Sequence, residues 1–214
     1  MKYFILFFIL VVVLASYPFF NNSENAEKVT GLPWQIEIGA HGSTKVFGIR
    51  PGHSRLADAR EVMGDDMELA IIAASDEAGA LEMYYGHYRA GLLSGKLVLR
   101  TDSSAQLIQA WRANAVSSVY MPTGLAKKYI PSAEDLPQIL EQTVTALTFI
   151  PATNLDEAII LARFGEPVMR IQKAGVEHFL YPEKGLDIAL HLDSKEVLQY
   201  VSPDAFQRLM EPLK

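Results

Sequence analysis

Residues 3–13 are apolar without a break, reading Tyr-Phe-Ile-Leu-Phe-Phe-Ile-Leu-Val-Val-Val behind a single positive charge at Lys2. A positive start followed by an apolar run predicts a membrane-inserting export segment. A buried core helix would carry polar residues at a helical period, and this run has none. The first negative charge is Glu24, so residues 3–23 in helical form can cross most of a hydrocarbon layer about 30 Å thick. Cleavage after Ala15 and an uncleaved anchor are both open. Tyr17, Phe19 and Phe20 lengthen the apolar stretch and favour the anchor, whereas Pro18 would kink its last turn. Lys2 then stays in the cytoplasm and the polar residues that follow lead outward. The expected division is a signal anchor or signal peptide over 1–22 and a tether over 23–33, with a globular region delivered to the periplasmic side or released there if the signal is cut.

Beyond the tether the polar and apolar positions run through one order of elements twice. Trp34-Gln-Ile-Glu-Ile alternates as a strand does. Residues 44–49 predict a strand, Pro51-Gly52 a turn, and Ser54 the cap of a helix that puts Leu56, Ala59, Val62 and Met63 on one face and stops at Gly64. Strands are predicted over 67–73, 81–85 and 92–99. Residues 144–150 begin the second pass, with Pro151, a cap at Thr153 or Asn154, and a helix with Leu155, Ala158, Ile159 and Ala162 inward that stops at Gly165. Strands over 168–173, 176–181 and 186–192 follow, joined by turns at Gly175 and Gly185. Superposed, the passes set Pro51 on Pro151, Leu56 on Leu155, Gly64 on Gly165 and Leu69 on Met169 or Arg170. Two further helices are predicted, over 104–115 and 132–140. The expected fold class is α+β: two tandem modules of a helix plus an antiparallel sheet, over 34–143 and 144–214, with connecting helices, behind one N-terminal membrane-inserting helix.

The second module resembles the α/β modules of the SmpA/OmlA outer-membrane lipoproteins and of the β-lactamase inhibitor protein. The residues that carry the resemblance are Asn154-Leu-Asp-Glu-Ala, the stop at Phe164-Gly-Glu-Pro167, the strand Glu177-His-Phe-Leu-Tyr181, and Leu186-Asp-Ile-Ala-Leu-His-Leu-Asp. It implies an exported module that binds or assembles proteins without catalysis. The first module lacks the proline after Gly64, and the chain has no cysteine to carry a lipid.

Composition narrows the chemistry. Of 214 residues half are apolar, enough for a substantial core. A net charge of -6 with scattered Lys and Arg gives no field for nucleic acid. Without cysteine there is no disulfide, thiolate metal site or thiol nucleophile. His41, His53, His87, His178 and His191 lack the spacing of a helical metal site, although His178 and His191 fall on adjacent predicted strands near Asp187 and Asp193. Gly52-His53-Ser54 lacks the second glycine of a nucleophile elbow, because Leu56 stands there. Asp65, Asp66 and Glu68 crowd one turn without the spacing of a calcium loop. No catalytic residue, cofactor site or metal site is assigned.

Tyr84-Tyr-Gly-His-Tyr-Arg89 is the segment richest in residues that anchor interfaces, so Tyr84, Tyr85, His87, Tyr88 and Arg89 are the candidate contact residues. The function expected from these readings is a non-catalytic interaction or assembly module of the cell envelope. It would be held to the membrane through residues 3–20 and would meet another envelope protein. The alternative is an exported hydrolase with a histidine and a carboxylate between the two modules, and a solute-binding role ranks third.

Overall fold

The computed structural model describes residues 29–39, 42–74, 77–191 and 194–214. The predicted membrane segment, His41 and Asp193 lie outside them. Residues from Gly31 to Lys214 form one compact unit of mixed α and β structure, dominated by a large antiparallel sheet.

The first described strands, β1 (Glu37–Ile38) and β2 (Thr44–Lys45), pair only with each other. The strand expected over 44–49 therefore ends early. At Val46–Ile49 the chain closes a tight turn in which Phe47 adopts φ 52°, a left-handed conformation rare for a non-glycine residue. Burial holds it there: the Phe47 ring is 4% exposed and meets Tyr88, Phe149 and Tyr200 at centroid distances of 5.4 to 5.6 Å.

Helix α1 (Leu56–Met63) is followed by β3 (Glu68–Ala74), β4 (Ala80–Ala90) and β5 (Leu93–Thr101), then by α2 (Ala105–Ala113), β6 (Ser117–Tyr120), β7 (Ala126–Ile130) and α3 (Leu136–Leu140). The chain continues through β8 (Val144–Pro151), α4 (Glu157–Phe164), β9 (Met169–Lys173), β10 (Val176–Tyr181), β11 (Leu186–His191) and β12 (Val197–Val201), and ends in short helical turns that include α5 (Gln207–Met210). Ten strands join one sheet in the order β6-β7-β3-β4-β5-β8-β12-β11-β10-β9, every pair antiparallel. The strands of both expected modules thus belong to a single sheet, with β8 as the seam between the meanders β3-β4-β5 and β9-β10-β11-β12. The polar and apolar pattern does not announce β6, β7 or β12.

Alternation along the strands sends side chains to two faces. On one, the inward positions are filled by Ile71, Leu81, Met83, Leu97, Leu99, Leu147, Phe149, Ile188, Leu198 and Tyr200, which pack with residues of all four longer helical segments, among them Leu56, Ile108, Trp111, Ile139 and Ile160. On the other, Leu180 and Val201 are covered by Phe206, Leu209, Met210 and Leu213 of the C-terminal turns.

Two helix starts differ from expectation. The Ser54 hydroxyl accepts from the Arg50 amide at 3.1 Å, so it serves the preceding turn; the cap position passes to Arg55, whose amide donates to Asp58 at 2.8 Å. In α4 the cap is Asp156, accepting from the Ile159 amide at 2.8 Å, in place of Thr153 or Asn154. The buried face of α4 is Ile160 and Phe164, four apart, while Ala158, Ile159 and Ala162, expected inward, are exposed. Val62 of α1 is likewise exposed. Ser104 caps α2 as expected, accepting from the Leu107 amide.

Both meanders begin from the same helix ending. Gly64 (φ 89°, ψ -178°) ends α1 and Gly165 (φ 82°, ψ -173°) ends α4. In each case a tyrosine hydroxyl from the second strand of the meander donates to that glycine's carbonyl: Tyr85 to Gly64 at 3.1 Å and Tyr181 to Gly165 at 2.9 Å. A helix end leaves carbonyls without intrahelical partners, and these phenols satisfy one at each site.

Candidate functional site

The five candidate contact residues all lie on β4, and a bulge sorts them. Tyr85 pairs with Leu97, but the next pairs are Tyr88 with Gly95, so Gly86 and His87 together oppose Lys96. The extra residue reverses the alternation and brings Tyr88 to the side of Tyr85, facing the core. Tyr85 is 3% exposed, and Tyr88 packs edge-on against Phe47 and Phe149. Tyr84 is half-buried on the other face, while His87 and Arg89 are exposed.

Burial pushes the phenols of Tyr85, Tyr88 and Tyr181 up to about 12, from an ordinary value near 10. Because the folded pKa lies above the unfolded one, their contribution is complete below pH 10 and is lost as pH rises through 12. Each would forfeit about 1–2 kcal/mol across that window, once solvent screening at the phenol tips is allowed for. Alkaline titration should therefore show these tyrosinates forming together with loss of the near-ultraviolet circular dichroism. Ionisation of all tyrosines with the fold intact would contradict this.

The remaining motifs resolve into local structure. His53 lies 3.4 Å from the Pro51 carbonyl through Nδ1. Asp65 pairs with Arg60, and Glu68 with Lys128 at 2.5 Å, so two of the three crowded carboxylates have cations. Among the described residues no group of three or more His, Asp or Glu side chains could hold a metal ion. His191 stands opposite Val176 in the β10–β11 pairing and does not meet His178.

His178 instead meets Asp187 across β10 and β11, its Nδ1 lying 2.9 and 3.2 Å from the two carboxylate oxygens. Asp187 is 1% exposed. Its burial raises the carboxyl above the ordinary range, while the hydrogen bond and attraction of His178 pull it down. The pair orients an imidazole, as catalytic pairs do, yet no hydroxyl is bonded to His178 among the described residues.

The two ends of the sheet differ in charge. At one end, β9 is a charged edge. Arg170 reaches Glu157 at 2.6 Å and Glu177 at 3.4 Å, and Lys173 donates to the Pro212 and Lys214 carbonyls. Charge of this kind opposes pairing with another strand. At the other end, β6 has all four residues exposed and reads Ser-Ser-Val-Tyr. Val116, Val119, Tyr120 and Leu125 are 68%, 57%, 68% and 76% exposed, and residues 113–126 carry no charge. Behind this edge the β6–β7 hairpin is fastened by Arg112, which donates to the Glu77 and Ala78 carbonyls and to the Tyr129 hydroxyl and lies over the Tyr129 ring. Sequence reasoning passed over β6 because four residues are too few to show alternation. The uncharged run around Gly124 was the available signal.

Comparisons of the chain with protein-family models, curated proteins and solved structures find no match. Among the described residues no helix is long and apolar enough to cross a membrane.

Proposed function

We propose that the protein is a membrane-tethered, non-catalytic interaction module of the cell envelope that engages another envelope protein along β6. The observation that carries this reading is the contrast between the two sheet edges. One is blunted by Arg170 and Lys173, beside an exposed Met169, while the other exposes Val119 and Tyr120 on a strand with no charged residue of its own, the nearest cation being Lys127 of β7 over the Tyr120 ring. An unprotected apolar edge offers free backbone donors and acceptors together with apolar side chains, which is what addition of a partner strand requires. The apolar run over residues 3–13 behind Lys2 supports export and tethering, with the globular region on the periplasmic side.

The two modules descend, in this reading, from one duplicated unit over 34–143 and 144–214. Support comes from the paired helix endings, where Tyr85 and Tyr181 close on Gly64 and Gly165 with the same backbone conformation. Shared local geometry at matched points of two meanders is harder to reach by chance than a shared order of elements. An exported hydrolase would need a hydroxyl or an activated water on the other nitrogen of His178. No described side chain supplies the hydroxyl, and the His178–Asp187 pair sits within the second module rather than between the two.

A photo-crosslinking residue at Val119, in intact cells, should trap one discrete partner, and Val119→Lys should reduce capture of that partner from a neighbouring crosslinking position by about tenfold or more, since a charge on the edge opposes strand addition. The same variant should change stability by no more than about 0.5 kcal/mol, because the side chain is exposed. A diffuse ladder of unrelated adducts, unaffected by the lysine, would remove the basis for this function.

A further inference from the structure

A groove of about 710 Å³ opens between the end of β11, residues 194–196 and the first turn of α4, with Leu155, Asp156, Glu157, Leu190, His191 and Glu196 among its walls. Glu196 is 4% exposed, and its Oε2 has no hydrogen-bond partner. None of the described cations lies within ion-pair distance of it. The neighbouring Lys195 is turned elsewhere, donating to the Ala152 carbonyl at 2.7 Å and to Asn154 Oδ1. Buried carboxylates are nearly always bonded or paired, so an orphan oxygen on a residue that lines a groove calls for a partner from outside the chain.

The other wall groups restrict what that partner can be. Asp156 is engaged by the Ile159 amide as the helix cap, and Glu157 is shared with Arg170, so the acidic wall is fixed in place and only Glu196 lacks a donor. Leu155 and Leu190 supply apolar surface beside it. A carboxylate and leucines lining one groove match a cation carried on methylene groups, which packs its stem and bonds through its head. We propose that this groove binds a ligand bearing a primary ammonium or guanidinium on an aliphatic stem, with Glu196 as the residue that accepts its charge. A free diamine and a lysine or arginine side chain of a protein segment share that chemistry. The site is separate from the β6 edge, so it stands or falls independently of the partner proposed there.

The test uses the full chain in detergent micelles, following the amide resonances of Asn154, Asp156, His191 and Lys195. The probes are 1,5-diaminopentane, a capped lysine peptide, and hexanoate as an anionic control. Saturable shifts with the diamine, the peptide or both are expected, with none from hexanoate. Response to the diamine alone assigns the site to small amines, and response to the peptide alone assigns it to a basic side chain. Glu196→Gln should weaken binding by about tenfold or more, since a hydrogen bond to a charged group is lost. Its ligand-free form should melt within a degree or two of the unaltered chain, because Oε2 has no hydrogen bond to lose. Unsaturable shifts with both amines, equal shifts with hexanoate, or unchanged affinity in Glu196→Gln would overturn the proposal. The hexanoate comparison on the unaltered chain decides the matter even if the glutamine variant does not fold.

Discussion

Phe149→Ala should destabilise the protein by about 3–5 kcal/mol, the range for removing a fully buried aromatic ring from a packed core. Phe149 is 0% exposed and lies on β8, the strand that joins the two meanders. Its ring meets Phe47 at 5.4 Å and Tyr88 at 6.5 Å between centroids, and it pairs in register with Leu97 and Leu198. Gly95 makes room for the ring: a Cβ there would stand 2.7 Å from Phe149 Cε2 and 2.4 Å from the Ile150 carbonyl oxygen. Little can therefore move in to refill the space, because the neighbours are strands held by their own ladders. Thermal unfolding should shift down by roughly 10 °C or more for a domain of this size. A loss under about 1 kcal/mol would mean that the seam at β8 is looser than the packing indicates.

His178→Ala should be comparably damaging at neutral pH and much less so in acid. Removing one partner of a buried pair leaves the other uncompensated, at about 3–5 kcal/mol. The carboxylate left behind is that of Asp187, with 2% of its side chain exposed. Its pKa is already raised by burial against the pull of His178, and without the imidazole nothing opposes that rise. A carboxyl whose folded pKa exceeds its unfolded value contributes stability that is complete below the ordinary carboxylate range and is lost as pH rises through the raised value. Urea unfolding of the variant should accordingly show its largest deficit at pH 7 and a smaller one near pH 4, where Asp187 takes up a proton. Adding Asp187→Leu should restore much of the stability at pH 7, since a buried pair replaced by apolar groups is often tolerated. An equal deficit at both pH values, unrepaired by the leucine, would show that His178 contributes packing and not charge.

The features legible in the sequence were those a few neighbouring residues decide. Ser104 ahead of Leu107, Ile108 and Trp111 announced α2, and the terminating glycines 64 and 165 were read at the points where the two longest-matched helices stop. The meander strands on either side of Gly175 were visible from alternation and turn residues, as was the turn at Gly185. The errors lay where a distant partner shifts the phase. Ser54 lost its helix to Arg55 because the Arg50 amide claimed its hydroxyl. Tyr88 joined the core because the β4 bulge opposite Lys96 changed its side of the sheet. Of the candidate site, Tyr84, His87 and Arg89 remained at the surface, while the phenols of Tyr85 and Tyr88 turned inward.

By itself the sequence determined an apolar run over residues 3–13, an α+β class, the helix stops and the meanders, since caps, glycine dihedrals and period-two alternation act over a few residues. Only the tertiary structure decided that β5 and β8 merge the strands into one sheet, that β6 and β9 are its ends, that His178 faces Asp187, and that Glu196 is left without a partner. Each of these depends on which segments meet across long stretches of chain, and a buried charge or an open edge exists only once the surrounding surface has been removed from water.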